Sequence, residues 1–182
     1  MRDAAIEQLN TLLEIDPYYP EYHMELAANH MAGEDYDSAC QCLTKAIAVD
    51  RSIVEAYGQK GFCKMRMERF EEGYESYMKA HRLAPHDADF LYGAAYCLAM
   101  SKRHREILDL LTSPLQSMAP GETRDDLLTV YAEALSFEKT PQAAADSVQS
   151  ITRGEERGEQ LRNLIATLKT AHDPSDKAGL KC

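Results

Sequence analysis

The sequence predicts an all-α protein, a right-handed helical-repeat solenoid of about ten helices. Three observations predict this fold. Small and apolar residues recur every 34 positions, Pro17 and Pro85 lie two such periods apart, and apolar residues within a period follow the i, i+3, i+4, i+7 spacing of a helix face. A period of this length is typical of helix–turn–helix repeats, which bury their apolar faces by stacking on one another. The columns of the period are Ala5, Ala39 and Gly73; Leu9, Leu43, Tyr77 and Leu111; Leu12, Ala46 and Ala80; Ile15, Val49 and Leu83; Ala27, Gly61 and Ala95; and Tyr36 and Phe70.

Each repeat is predicted to contain two helices, a helix A followed by a helix B. Residues 3–15 match a helix B alone, so the pattern opens with half a repeat. Complete repeats are predicted at Pro20–Ile53 and Val54–Asp87, and a fourth repeat begins at Ala88. Because proline breaks a helix, Pro114 predicts an early end for helix B of the fourth repeat. The predicted B helices of the second, third and fourth repeats are Tyr36–Val49, Phe70–Leu83 and His104–Leu111.

Residues at the predicted helix starts have the chemistry of helix caps. Asp35 and Asp87 precede two helices and can accept hydrogen bonds from the first backbone amides. Pro20 and Pro141 suit first-turn positions, where the missing N–H removes no hydrogen bond, and Thr140 is the expected cap before Pro141. The turn chemistry therefore places the helix boundaries where the repeat period places them.

The repeat pattern weakens after Leu111. Residues 118–121 (Met-Ala-Pro-Gly) predict a loop, and a weaker fifth repeat fits Asp125–Gly158. A final helix at Glu159–Lys169 has one apolar and one polar face, which is what a terminal cap requires. The apolar columns of the fifth repeat are Leu128, Tyr131, Ala132, Leu135, Ala144, Val148 and Ile151. We expect a half repeat plus three repeats over residues 1–112, the fifth repeat and the capping helix over residues 113–170, and a disordered tail over residues 171–182.

Particular residue types recur at fixed positions of the two helices. They are Leu26, Ala27, Gly61, Ala94 and Ala95 in the A helices, and Ala39, Leu43, Ala46, Tyr77, Ala80 and Pro85 in the B helices and the following turn. This set resembles the tetratricopeptide repeat (TPR) family over residues 4–112, and the resemblance implies a protein-binding solenoid. The sequence departs from the family where His23, Tyr57 and Leu91 stand in a position often held by tryptophan. It departs again at Arg51, in a frequent proline position, and at Gly73, in an alanine position.

The overall charge argues against two classes of partner. The formal net charge is −10 at pH 7, whereas a nucleic-acid surface needs a basic stripe and an anionic membrane attracts basic segments. No stretch approaches the roughly 18 apolar residues of a membrane-spanning helix. We therefore expect neither a nucleic-acid nor a membrane partner.

The cysteines favour a reducing compartment and structural roles. Their number is five, which is odd, and no Cys-x-x-Cys occurs, so the sequence predicts a cytoplasmic protein. Cys40 and Cys42 point about 200° apart on one helix, which is unsuitable for binding one metal ion. Cys63 and Cys97 share one repeat position and are expected to be buried, and Cys182 is a terminal thiol.

No constellation of residues predicts catalysis. His23 and His30 lie seven residues apart on one helix face, which is not the spacing of a metal-binding pair, and structural roles are expected for both. The basic run at residues 102–105 is expected to be a solvated turn. The sequence contains no phosphate-binding loop and no nucleophile elbow. It therefore predicts a protein that is not an enzyme, with no catalytic residue, no cofactor and no metal site.

The TPR resemblance implies that one face of the A helices lines a concave groove. Here that face is rich in methionine and aromatic residues and has an acidic rim, which favours an apolar peptide or protein segment as the partner. The alternative is that these side chains pack against a neighbouring helix or the C-terminal segment of the chain. The predicted peptide-binding residues are Met24, Met31, Gln59, Phe62, Met65, Arg66, Tyr92, Tyr96 and Met100.

One subclass of TPR proteins clamps a C-terminal carboxylate with cationic and amide side chains. The matching positions here hold Met24, Ala28, Asp89 and Gly93. Because Asp89 would repel a carboxylate, the C-terminal tails of chaperones are not expected ligands.

A protein-interaction scaffold or adaptor is the predicted function, and three alternatives stay open. In size, acidity and repeat number the chain resembles bacterial type III translocator chaperones, so it could be a small chaperone for an apolar secreted client. It could instead be a TPR fragment of a larger protein, or a self-assembly module that forms a homodimer. The homodimer would use the apolar strip of the N-terminal helix, formed by Ile6, Leu9, Leu12, Leu13 and Ile15.

Overall fold

The structure, a computed structural model, describes residues 2–152 and 159–170. Within these ranges the chain forms ten α-helices and no β-strand, as the sequence predicts. The predicted tail at 171–182, which includes Cys182, lies outside the described residues. The helices are α1 (Arg2–Ile15), α2 (Pro20–Ala32), α3 (Tyr36–Val49), α4 (Val54–Arg66), α5 (Phe70–Leu83), α6 (Ala88–Met100), α7 (His104–Ser117), α8 (Glu122–Glu138), α9 (Pro141–Ile151) and α10 (Glu159–Thr170).

One helix departs from its predicted bounds. The predicted early end of α7 at Leu111 was wrong, because the helix continues through Pro114 to Ser117. Pro114 removes one backbone N–H, but Leu115 in the last turn is fully buried. The N–H of Met118 then donates to the Pro114 carbonyl at 2.9 Å. Burial of Leu115 therefore holds the last turn in place despite the missing hydrogen bond.

Two of the three predicted caps are confirmed. The carboxylate of Asp35 accepts a hydrogen bond from the Ser38 N–H at 3.1 Å, and that of Asp87 accepts one from the Asp89 N–H at 3.1 Å. Thr140 does occupy the N-cap position of α9, but its side chain makes no capping hydrogen bond, so the predicted side-chain cap was wrong. Only its main-chain carbonyl accepts a hydrogen bond from the helix.

Helix A ends in the same turn in three successive repeats. After α4, the Arg69 N–H donates to the Lys64 carbonyl and the Glu68 N–H donates to the Met65 carbonyl, both at 2.9 Å. This pair of bonds is the Schellman motif, in which glycine usually supplies the left-handed residue. Glu68 takes that conformation here, with φ of 58°. The equivalent residues one period before and after are Glu34, with φ of 60°, and Lys102, with φ of 58°.

The chain divides into two compact units between Cys97 and Leu98, within α6. The core of the N-terminal unit forms where α2, α3 and α4 meet, and α1 covers part of it with Ile6, Leu9 and Leu13. The buried members of this cluster are Leu26, Ala27, Ala39, Cys40, Cys42, Leu43, Ala56 and Cys63.

Two glycines, Gly61 and Gly93, allow close approach of α4, α5 and α6. The ring of Tyr77 on α5 is 8% exposed. A Cβ added to Gly61 on α4 would lie 2.9 Å from Tyr77 Cγ, and one added to Gly93 on α6 would lie 2.6 Å from Tyr77 Cζ. The ring therefore lies between two glycines that leave space for it.

The C-terminal unit has its own apolar core. All the predicted fifth-repeat columns are buried, and Thr112 and Tyr131 are hydrogen-bonded through their hydroxyls at 3.1 Å. On α10, Leu164 and Ile165 are half-buried and Leu168 is buried, which agrees with the predicted apolar face. Other core residues are Ile107, Leu127 and Val130.

Candidate functional site

The predicted binding residues of the N-terminal unit share an exposed face of α2, α4 and α6, which we call the A-helix face. Each A helix buries its small and apolar columns, so its remaining apolar residues reach the surface. Phe62 and Tyr96, one repeat apart, are 37% and 38% exposed. Arg66 is exposed as well, and the half-buried members are Met24, Met31, Gln59, Met65 and Tyr92. Met100, which is 48% exposed, belongs to the C-terminal unit.

An aromatic and cationic cluster marks the centre of the A-helix face. The rings of Tyr36 and Phe62 meet edge to face with centroids 6.2 Å apart. The Arg66 guanidinium carbon lies 4.9 Å from the Tyr36 centroid and 5.7 Å from that of Phe62. Both distances are within the range of cation–π attraction, so the guanidinium is held against the rings. A Glu34 oxygen lies 4.0 Å from an Arg66 nitrogen.

Sequence reasoning did not include Tyr36 in the site. Tyr36 was placed in the aromatic column at the start of helix B, which suggested packing alone. In the structure it is half-buried and contacts Phe62, which lies on the A helix of the next repeat. The first turn of a B helix therefore adjoins the A-helix face. The recurrence of an aromatic residue at this turn after 34 positions, at Tyr36 and Phe70, was the sequence signal that could have identified it.

Two glycines on the A helices do not contribute to the exposed surface of this face. Gly58 and Gly93 are both buried. The ring of Phe90 on α6 covers Gly58, and the ring of Tyr77 covers Gly93. These positions support the contact between adjacent helices and leave the aromatic residues on the surface.

The rim of the A-helix face is acidic. Four exposed carboxylates lie on the same three A helices, and Arg66 is the cationic residue among the predicted binding residues. This distribution favours a partner that carries positive charge around an apolar segment. The four rim residues are Glu21, Glu25, Glu55 and Asp89.

The histidines have structural partners. His23 is buried, and its Nε2 lies 3.0 Å from the Pro17 carbonyl oxygen. Nδ1 of His30 lies 3.3 Å from the Asp35 carboxylate. The Ser38 hydroxyl and backbone N–H, followed by His30, hold the pKa of Asp35 below its usual value. The described residues contain no group of three or more metal-ligating side chains.

The basic run of the fourth repeat is largely paired within the C-terminal unit. Arg103 binds Glu106 through two nitrogens, each 2.6 Å from a carboxylate oxygen. The imidazole of His104 stacks on Phe137 with centroids 4.1 Å apart. These contacts give the run a structural role.

The cysteines are placed partly as expected. Cys63 and Cys97 are fully buried, which confirms the prediction, and Cys40 and Cys42 are buried too. All four are free thiols. Burial raises the pKa of Cys42, and it raises that of Cys97 to about 11. A contact between Cys40 and Cys63 was not predicted, because it joins two repeats.

One segment of the chain matches a family model, and a longer segment matches a curated relative. A family model described as a tetratricopeptide repeat matches residues 54–87, which form the third repeat. A curated relative from Dictyostelium discoideum, a DnaJ homolog subfamily C member 7 homolog, is 27% identical over 90 residues. The match spans 47% of this chain and only 17% of that protein.

Solved structures show the same fold at low sequence identity. MamA residues 41 to the end, from Desulfovibrio magneticus RS-1, has a TM-score of 0.63 at 14% identity and covers 87% of this chain and 88% of its own. PilF of Pseudomonas aeruginosa has a TM-score of 0.63 at 19% identity, with 97% and 86% covered. YrrB, a TPR protein with an unusual peptide-binding site, has a TM-score of 0.60 at 15% identity, with 95% and 98% covered.

The matched repeat covers residues 54–87, and the shared fold covers most of the chain. Among the described residues, no helix combines the length and the apolar character that crossing a bilayer requires. The 34-residue columns, the matched third repeat and the likeness to solved TPR structures agree with one another. Residues 54–87 match a tetratricopeptide repeat, and the described residues have the fold of solved tetratricopeptide repeat proteins.

Proposed function

We propose that the protein is a non-catalytic interaction scaffold or adaptor that binds a segment of a partner protein on the A-helix face of its N-terminal unit. One observation carries this proposal. Phe62 and Tyr96 stay more than one-third exposed at the same position of adjacent repeats, while the columns around them are buried. Large side chains that recur on one exposed face of a repeat protein are suited to contact an extended partner.

The composition of the face defines the chemistry of the partner. Methionine side chains adapt to ligands of different shape, so Met24, Met31 and Met65 suit an apolar segment without a fixed outline. The acidic rim favours lysine or arginine residues that flank this segment. The Arg66 guanidinium, held on two rings, can donate hydrogen bonds to a carboxylate or carbonyl group of the partner. YrrB, whose peptide-binding site is described as unusual, is a structural relative that binds peptide on the same fold.

A chaperone for an apolar client would use the same face. The two functions differ in the length of apolar segment that binds, since an adaptor selects a short motif and a chaperone accepts long apolar stretches. We propose a reducing, cytoplasmic setting for either function, supported by four free and buried thiols in one unit.

Selection from a random peptide library tests the proposal. Selected peptides should combine aromatic or aliphatic residues with basic flanks, and their Kd is measured by fluorescence anisotropy. Replacing Phe62 and Tyr96 together by alanine should weaken binding more than tenfold, because exposed aromatic anchors contribute most of the affinity in such interfaces.

A matched pair of variants provides the control. Val49 and Leu83 are 38% and 39% exposed, nearly the same as Phe62 and Tyr96, and lie one period apart at the ends of B helices. Replacing both by alanine should change Kd less than twofold. If that pair weakens binding and the Phe62 and Tyr96 pair does not, while circular dichroism shows both variants folded, the binding face lies elsewhere and the proposal fails.

A second candidate function is self-association through α1. Leu12 and Ile15, in the last turn of α1, are 38% and 78% exposed, and Tyr18, which follows the helix, is 78% exposed. Tyr18 also borders an open cavity of about 590 Å³ that is lined in part by Pro17 and Val49. Large apolar side chains exposed at this density are typical of interfaces, and a homodimer through α1 would bury them.

Sedimentation at micromolar concentration tests this homodimer. Leu9 and Leu13 pack on the core, so substituting them would disturb the fold; the combined change of Leu12→Glu and Ile15→Glu avoids that difficulty. A dimer that becomes a monomer in this variant supports the proposal. A wild-type monomer over the whole concentration range contradicts it.

A further inference from the structure

Two thiols meet at the boundary between the second and third repeats. Cys40 lies on α3 and Cys63 on α4, and both belong to the buried cluster where these helices meet. The two thiols interact within this cluster. Cys63 is fully buried, whereas Cys40 retains 7% of its surface. The pair therefore has one thiol that small molecules can reach and one that is enclosed behind it.

The exposed edge of Cys40 faces an open cavity of about 490 Å³ with cationic walls. The ammonium group of Lys60 donates to the Thr44 hydroxyl at 3.0 Å, and that of Lys64 lies 3.0 Å from a Glu72 oxygen. Further charged residues around the cavity are Lys45 and Arg69, opposed by Asp37. Cations beside a partly accessible thiol are the setting in which cysteine becomes nucleophilic.

The electrostatics assign different roles to the two thiols. The hydrogen bond from Cys63, with the charges of Lys64 and Lys60, lowers the pKa of Cys40 to about 7, although burial and Asp37 act in the opposite direction. The same hydrogen bond, with burial, raises the pKa of Cys63. Cys40 is therefore the thiol of the pair that loses its proton more readily, and Cys63 is the one that keeps its proton.

We propose that Cys40 and Cys63 form an oxidation site at which a hydroperoxide converts the thiol pair into a disulfide. A small oxidant is required because little of Cys40 is exposed. The Cys40 sulfur attacks one peroxide oxygen, the O–O bond breaks, and the leaving oxygen takes a proton from solvent. This step oxidises Cys40 to a sulfenic acid and reduces hydrogen peroxide to water.

The second step needs only the neighbouring thiol. The Cys63 sulfur attacks the Cys40 sulfur, the S–O bond breaks, and the departing hydroxyl leaves as water with the thiol proton of Cys63. In sum, two thiols and one hydrogen peroxide give one disulfide and two waters. The new bond would join α3, which carries Tyr36, to α4, which carries Phe62 and Arg66.

Mass spectrometry of the full chain tests this site. The Cys182→Ser background removes the thiol outside the described residues, and hydrogen peroxide is added in slight excess before free thiols are alkylated. We expect a product 2 Da lighter than the reduced protein before alkylation. Digestion with trypsin should release the peptide of residues 61–64 joined by a disulfide to the peptide of residues 3–45.

Because residues 3–45 contain both Cys40 and Cys42, variants must separate them. Cys42→Ser should retain the linkage, and Cys40→Ser should abolish it. Cys63→Ser should instead leave a sulfenic acid on Cys40, which dimedone traps as an adduct. Circular dichroism verifies that each variant is folded.

Three outcomes would overturn the proposal. They are a linkage that survives Cys40→Ser, a disulfide that contains Cys97 instead of Cys63, and, in the folded reduced protein, alkylation of Cys40 no faster than that of Cys42. The last measurement uses the wild-type cysteines of the pair, so it decides the question even if a variant fails to fold.

Discussion

The packing of Tyr77 between two glycines predicts how an added methyl group at either glycine changes the free energy of unfolding. Gly61→Ala and Gly93→Ala would each add one methyl group against a ring that is 8% exposed. The added Cβ would lie 2.9 Å from the ring at position 61 and 2.6 Å from it at position 93. Ordinary van der Waals contact is about 3.5–4.0 Å, so the ring or a helix must move by about 1 Å.

Two opposing effects determine the size of the change. Overpacking of this kind costs about 1–3 kcal/mol, while alanine in place of a mid-helix glycine stabilises by about 0.5–1 kcal/mol. We therefore expect Gly93→Ala to lower the free energy of unfolding by about 1–2 kcal/mol, and Gly61→Ala to lower it by less, because its contact is longer.

A double-mutant cycle isolates the contact with the ring. In a Tyr77→Leu background the ring is gone, so Gly93→Ala should become neutral or stabilise by up to about 1 kcal/mol through helix propensity. Urea unfolding followed by circular dichroism measures each free energy. Gly33→Ala is the control, because its added methyl group would meet only the flexible, exposed end of Arg2. An equal effect of Gly93→Ala in both backgrounds would refute the packing argument.

Three further predictions concern the repeats. Glu68→Gly should stabilise the protein by about 1 kcal/mol, since glycine relieves the left-handed strain at φ of 58°; Glu75→Gly, in an exposed helical position, should destabilise by about the same amount. Lys64 and Arg69 lower the pKa of Glu72 in the folded state. The ionised Glu72 carboxylate therefore stabilises the fold fully above its unfolded-state pKa of about 4.3, and this stabilisation is lost as the pH falls through the folded-state pKa. The stability difference between wild type and Glu72→Gln, measured by unfolding at several pH values, should therefore close below about pH 4. Finally, Ala27→Phe should cost about 1–3 kcal/mol at a fully buried site, and Ala28→Phe, on the exposed side of the same helix, should cost less than about 0.5 kcal/mol; equal losses would contradict the register of α2.

The fold was largely predictable because the 34-residue period indicates both the buried face of each helix and the helices that pack against it. The columns that carry Leu43, Gly61 and Ala95 identify both the helix faces and the neighbours against which they pack. The end of α7 was not predictable from Pro114, since the rule for proline is local and the burial of Leu115 is tertiary. The capping hydrogen bond expected from the Thr140 side chain is absent. A threonine at this position favours a cap, but the residue type does not determine its side-chain rotamer.

The outward-facing residues of the candidate site were predictable, whereas their contacts with other helices were not. The family pattern indicated which residues of an A helix face outward, and the exposed Phe62 and Tyr96 agree with that pattern. It gave no information on contacts between repeats, so Tyr36 and the pairing of Cys40 with Cys63 appeared only in the structure. The burial of Gly58 and Gly93 was not predictable either, because the rings that cover them come from other helices.

Binding on the A-helix face is the central claim, and the methionine methyl groups offer its most direct test. Met24, Met31 and Met65 lie on this face, while Met78 lies on α5 and Met118 follows α7. Methyl-labelled methionine in the full chain is titrated with a library-selected peptide, and the resonances are assigned by single substitutions. We expect the signals of Met24, Met31 and Met65 to shift with a common Kd while those of Met78 and Met118 stay in place. Shifts confined to Met78 or Met118 would contradict the account.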